Sequence, residues 1–189
     1  MPEDSTVSAK SIDSDRVRLR KAHDGDAAGI IETQIDERIR RHLGGPRSEP
    51  EVRALVESVG AAALLAAPGH FVVADKHTDE MLGTVLLDRR GLDVPGHVEA
   101  AGNELELTYV FRHSAWGHGY ATEAARALLV AAAAELPEQP VLVITQSANG
   151  PSLNLAHRLG FEVVTTFEQF GAEQSLAVAR LHSFRCPPR

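Results

Sequence analysis

In RVRLRKA, residues 16 to 22, Val17 and Leu19 alternate with arginines, the two-residue period of a half-buried strand. The period then lengthens. DGDAAGIIETQI sets acids in a first turn and Ala27, Ile30, Ile31 and Ile35 on one stripe, which predicts a helix from near Asp24. Gly44, Gly45 and Pro46 stop that pattern. Ser48 as a cap and Pro50 in a first turn predict a second helix over about 49–66, ended by Pro68 and Gly69. HFVVADKHTDEMLGTVLLDRR reads as two strands joined by a polar turn at 76–80, a hairpin. After a loop over 91–103, ELELTYVF puts Leu105, Leu107, Tyr109 and Phe111 on one face of a strand and Glu104, Glu106, Thr108 and Val110 on the other.

From Tyr120 to Pro137 the spacing of Ala121, Ala124, Ala125, Leu128, Leu129 and Ala132 predicts a helix whose small side chains let it lie close to a sheet. VLVIT, residues 141–145, reads as a strand buried on both faces. A short helix over 151–159 with Gly160 as its C-terminal cap follows, and EVVTTFEQF and SLAVARLHSF close the chain as two more strands. This is an α/β (α+β) pattern: one domain over 16–184, with a disordered tail over 1–15 and a short tail over 185–189.

Composition narrows the function. A chain of 189 residues, 43% hydrophobic and 24% charged, suits one buried core, and a net charge of -7 argues against nucleic-acid binding and for a cationic or neutral ligand. No apolar run approaches the ~18 residues of a membrane span, and MPEDSTVSAKSIDSD lacks the apolar stretch of a leader. The single cysteine, Cys186, cannot form an internal disulfide and reads as a free thiol on a tail, which fits a reducing, cytoplasmic setting. The histidines form neither H-x-x-x-H nor H-E-x-x-H, so no metal is expected.

The chemistry concentrates in WGHGYATEAARALL, residues 116–129. A strand that ends in a glycine loop and feeds a helix turns backbone N–H groups and the positive helix end toward one point, which suits a phosphate. Gly117 and Gly119 leave the backbone open to a ligand. A nucleoside-triphosphate loop needs Gly-Lys-Ser/Thr, and no lysine follows Lys76. A dinucleotide loop needs glycine or alanine where Thr122 stands and an acid where the next strand ends at Thr145-Gln146.

The third reading is a coenzyme A pyrophosphate loop. Trp116-Gly117-His118-Gly119-Tyr120-Ala121 resembles the Q/R-x-x-G-x-G/A loop of the GNAT acetyltransferase superfamily, most of all the branch of ribosomal-protein N-terminal acetyltransferases, where YWGKGYATEA is common. His118 stands where that branch often has lysine or arginine. NGPSLNLAHRLGF is similar to the branch's second element through Asn149, Ser152, Leu159, Gly160 and Phe161, and the resemblance spans about 16–180.

It implies a mixed, mostly antiparallel central sheet flanked by helices and splayed between the strand ending at Phe111 and the strand at 141–145, with acetyl-coenzyme A in the gap. The loop from Trp116 to Ala121 together with Thr122 would hold the pyrophosphate. Val110, Phe111 and Arg112 would meet the pantetheine through the backbone, and Asn149 and Ser152 from the second element. The implied reaction is attack by a primary amine, on a small molecule or a protein N-terminus, at the acetyl thioester. Glu106 is the candidate base and Glu104 its substitute. Ser152 is the candidate proton donor, or alternatively a helix cap, because the position of the family's frequent tyrosine is Ala156. The region 35–52 would form a lid whose Arg38, Arg40, Arg41 and Arg47 meet an acidic acceptor or only solvent. A homodimer fits this reading. The competing reading, prompted by Ala156, is a coenzyme A-binding sensor without catalysis.

Overall fold

Residues 6–185 are described by the computed structural model. Along them run β1 (Ser11–Asp13), β2 (Val17–Arg20), α1 (Ala27–Ile35), α2 (Glu37–Arg40), α3 (Glu49–Val59), α4 (Ala61–Leu64), β3 (His70–Asp75) and β4 (Met81–Arg89). The second half holds β5 (Leu105–Phe111), α5 (Tyr120–Glu135), β6 (Pro140–Gln146), α6 (Gly150–Leu159), β7 (Glu162–Gln169) and β8 (Ala172–Arg180). One eight-stranded sheet in the order β1-β2-β3-β4-β5-β6-β8-β7 organises them. Every neighbouring pair is antiparallel except β5 and β6.

The strand alternation read from the sequence becomes two cores. Val17, Leu19, Phe71, Val73, Val85, Leu87, Leu105 and Leu107 face α5 and α6, whose Leu128, Leu129, Leu155 and Leu159 complete the larger core. On the opposite face Val72, Ala74 and Met81 pack with Ile30, Ile31, Val52 and Val56 of α1 and α3. The strand at 141–145 is buried at Val141, Leu142 and Val143, and opens at Ile144 and Thr145.

Three expectations are corrected. Order begins well before residue 16: β1 pairs with β2 from Ser11 to Asp13, and Val7 is fully buried in the larger core. The apolar Val7 and the edge of β2 supply the driving force that a tail of polar composition conceals. The helix expected over 49–66 is two helices, broken at Gly60, whose φ of 84° and ψ of 141° are not helical. Ser48 occupies the N-cap position of α3 but its side chain makes no cap hydrogen bond. The last strand ends at Arg180, and Leu181–Phe184 form a 3-10 turn that returns Leu181 and Phe184 to the core. The free thiol expected at Cys186 lies outside the described residues.

Candidate functional site

The glycine loop is built as its sequence demands. Gly117 and Gly119 have φ of 78° and 80°, a region that side chains other than glycine's rarely adopt, and a Cβ on Gly117 would meet nothing within 4 Å. The loop therefore opens outward. The first bond of α5 runs from the Glu123 N–H to the Gly119 carbonyl, so the N–H groups of Tyr120, Ala121 and Thr122 have no partner within the helix. They converge with the positive end of a 16-residue helix, an arrangement that attracts an anion. The His118 ring stacks on Tyr120, with centroids 5.6 Å apart.

Beside the loop the sheet opens. β5 pairs with β4 at seven positions, from Leu105 to Phe111, but with β6 only at Leu105–Val141 and Glu106–Leu142. β6 instead turns to β8, which it follows for seven positions. Beyond Glu106 one edge of β5 thus has no neighbouring strand among the described residues. The Arg112 N–H donates to the Leu82 carbonyl at 2.9 Å. Alternation along the antiparallel ladder then turns the backbone of Val110 toward β4 and that of Tyr109 and Phe111 toward the gap.

This corrects the expected backbone contacts. Val110 and Arg112 are committed to β4, so the groups offered to a ligand in the gap are those of Tyr109 and the N–H of Phe111. The Phe111 carbonyl already accepts the Trp116 indole N–H at 3.0 Å, which makes Trp116 a brace of the loop. The Arg112 side chain is paired with Glu32 and Glu80, both at 2.8 Å, and ties α1 to the hairpin.

Across the gap a hydroxyl pair connects β5 to α6. The Tyr109 hydroxyl lies 2.9 Å from the Ser152 hydroxyl and also donates to the Ser152 carbonyl at 3.1 Å. Burial pushes the Tyr109 phenol up, and its bond to Ser152 offsets part of that rise. Ser152 is therefore not the cap of α6; Asn149 is. The Asn149 carboxamide oxygen accepts from the Ser152 N–H at 3.3 Å and its nitrogen donates to Thr145, which takes that oxygen away from the expected pantetheine contact. Ala156 is buried in the core. The sequence reading set Tyr109 on one strand face with Leu105, Leu107 and Phe111 and gave it no part in the site; only its place on the strand that borders the gap signals otherwise.

Glu106 lies where the last β5–β6 pair gives way to the gap, on the face opposite α5. Its Oε2 accepts from the buried Arg90 guanidinium at 2.7 Å. Glu104 is not available as a substitute base. It is buried, and it accepts from His97 at 2.6 Å and from the N–H groups of Val98 and Glu99, so it anchors the loop over 91–103. Burial alone would raise its carboxyl, but these partners hold it below the usual range.

The lid region spans this same face. Asp36 caps α2 by accepting from the N–H groups of Arg38 and Ile39, and the Arg38 guanidinium beside it lowers its carboxyl to about 2. Arg40 bonds the carbonyls of Leu43 and Gly45 inside the lid. From the lid, His42 reaches Gln146 at the end of β6, 3.2 Å away, and so bridges the open side of the sheet. Arg38 and Arg40 are consumed internally; Arg41 and Arg47 are exposed.

Comparison with known proteins bears on the fold and the family. The acetyltransferase (GNAT) domain family matches residues 16–162. The uncharacterized protein YkkB of Bacillus subtilis is 26% identical over 158 residues, 83% of this chain and 88% of that protein. A GNAT-family acetyltransferase structure from Bacillus anthracis superposes with a TM-score of 0.72 at 18% identity, covering 90% of this chain and 98% of that one. The spermidine N-acetyltransferase of Vibrio cholerae, solved with coenzyme A and spermine, gives a TM-score of 0.67 at 16% identity over 89% of this chain and 98% of that one.

Proposed function

Because the chain belongs to the acetyltransferase (GNAT) domain family, we propose that it transfers an acetyl group from acetyl-coenzyme A to a primary amine, a small-molecule amine or a protein N-terminus, in the manner of the ribosomal-protein N-terminal branch. One observation carries the reading: the sheet opens after Glu106, and a glycine loop followed by helix N–H groups that have no partner within the helix stands at the mouth of that opening. The residues present fit the coenzyme. Gly117 and Gly119 leave room where a Cβ would intrude on a bound phosphate, and the backbone of Tyr109 and Phe111 offers strand-like hydrogen bonds to an amide-bearing arm. When bound, acetyl-coenzyme A supplies an acetyl thioester.

The chain's own residues then divide the proton work. An amine of pKa near 10 is protonated at neutral pH and must lose a proton before it attacks. Glu106 takes that proton through a short chain of waters, because Arg90 holds one carboxylate oxygen and Tyr109, whose backbone borders the gap, lies about 10 Å along the strand. Tyr109, kept protonated by burial, and Ser152 hold a proton beside the gap for the departing thiolate. The lid, latched by His42 on Gln146, bounds the side from which the amine enters.

The sensor reading rested on the missing tyrosine at Ala156. Tyr109 brings a phenol to the same helix from another element, which removes that motive. No helix among the described residues is long and apolar enough to cross a membrane, and with a single cysteine the setting we propose is the cytoplasm. The test is thiol release from acetyl-coenzyme A on addition of polyamines, amino acids, aminoglycosides and N-terminal peptides in turn. Release driven by one amine class supports transfer and names the acceptor. Tight coenzyme binding without release for any class contradicts it.

A further inference from the structure

Arg16 belongs to the turn between β1 and β2, about a hundred residues before the glycine loop, yet its side chain ends on that loop. Its Nη1 donates to the His118 carbonyl at 3.0 Å, its Nε and Nη2 meet Glu123 Oε2 at 2.8 Å each, and its backbone N–H donates to Glu123 Oε1 at 2.7 Å. The guanidinium packs 4.9 Å from the Tyr120 ring centre, and Nη2 lies 3.5 Å from where a Cβ on Gly119 would stand. A guanidinium has five N–H donors in a fixed fork. These contacts use Nε and one hydrogen on each terminal nitrogen, which leaves one donor on each for an incoming group.

We infer that Arg16 is the cationic ligand of the coenzyme pyrophosphate, supplied to the loop from outside its own segment. The inference rests on the reading of the loop as a coenzyme A site. Two needs of the loop converge on Arg16. The loop over 116–121 holds neither lysine nor arginine, so it carries no fixed positive charge of its own. Glu123, one turn into α5, places a carboxylate close to where a diphosphate must come, and Arg16 neutralises it while extending donors past it. The side chain is half exposed, so it is within reach of a ligand arriving from solvent.

Calorimetric titration of the full chain with coenzyme A and with dephospho-coenzyme A tests this, alongside turnover of acetyl-pantetheine, which has no phosphate. Arg16→Gln keeps hydrogen-bonding capacity toward Glu123 and removes the charge. It should weaken both nucleotides roughly ten- to a hundredfold, the scale of a charge-assisted contact. Its kcat/KM for acetyl-pantetheine should stay at the wild-type value. Arg16→Lys should fall between the two, because an ammonium keeps the charge without the fork, and it decides by the same comparison if Arg16→Gln does not fold. Unchanged nucleotide affinity overturns the inference. So does an equal loss with acetyl-pantetheine, which makes Arg16 a brace only. An effect on coenzyme A that vanishes with dephospho-coenzyme A assigns the arginine to the 3′-phosphate and overturns the pyrophosphate contact. A wild-type protein that binds neither nucleotide defeats the reading of the loop itself.

Discussion

In the proposed reaction single side chains carry the proton chemistry, and two of them separate its halves. Tyr109→Phe removes the phenol without emptying the core, so turnover should fall by up to about 10²-fold with coenzyme affinity unchanged, because a thiolate leaves without full protonation. Combining it with Ser152→Ala should add little, since the two hydroxyls act as a pair. Glu106→Gln should lower turnover by roughly 10²-fold at neutral pH and recover as pH rises and free amine becomes abundant. That substitution also leaves the buried Arg90 without its charge partner, a loss of about 3 kcal/mol or more. A melting curve therefore accompanies the kinetics. If neither rate nor pH profile changes, the proton assignment fails. At this scale the sequence was partly legible. Gly117 and Gly119 were visible in local spacing, and Glu106 and Ser152 through the family resemblance. Arg16, Arg90 and the phenol of Tyr109 were not, because each owes its meaning to a partner more than ten residues away, and period-two alternation marks Tyr109 only as buried.

Elements inherit their boundaries from a few backbone demands. The pattern of apolar positions runs unbroken through Gly60, which hid the break between α3 and α4; only the backbone angles there show that the chain turns. Gly60→Ala should be strained and cost on the order of 1–3 kcal/mol. A rise in melting temperature, as expected for alanine inside a continuous helix, would contradict the break. The start of α1 depends on a buried ion pair. Arg20 holds both oxygens of Asp26, at 2.8 and 3.0 Å, and reaches Asp79 at 2.8 Å. Burial would raise the Asp26 carboxyl, but Arg20 and the His23 N–H outweigh it and keep it below its ordinary value. Asp36 at the lid is lowered to about 2. A depressed carboxyl contributes stability above its unfolded pKa of about 3.9 and loses it as pH falls through the folded value. Melting temperature should thus be level near neutrality and drop below about pH 4, and Asp26→Asn should lower the plateau and flatten the drop. A drop that begins near pH 6 would point to histidines instead.

For the molecule as a whole, sheet order decides what the site is. Most strands and helices were legible because alternation and helical stripes agree along most of the chain. The extent of the gap was not, since it depends on β6 leaving β5 after two pairs to follow β8. The ordered N-terminal segment was hidden for a similar reason: three residues of β1 and the buried Val7 are too short a pattern to stand out from polar neighbours. Deleting residues 1–13 should expose the edge of β2 and part of the larger core, and lower the melting temperature by several degrees or more. An unchanged melting temperature would mean that the segment contributes nothing. On the proposed reading the glycine loop holds coenzyme A through its backbone. Calorimetric titration of coenzyme A against Gly119→Val tests it most directly, because valine disfavours the left-handed angle of 80° and closes the approach to the helix N–H groups. Binding by the wild type and none by the folded variant is the predicted result, with His118→Ala only modestly weaker; undiminished binding by Gly119→Val would contradict the account.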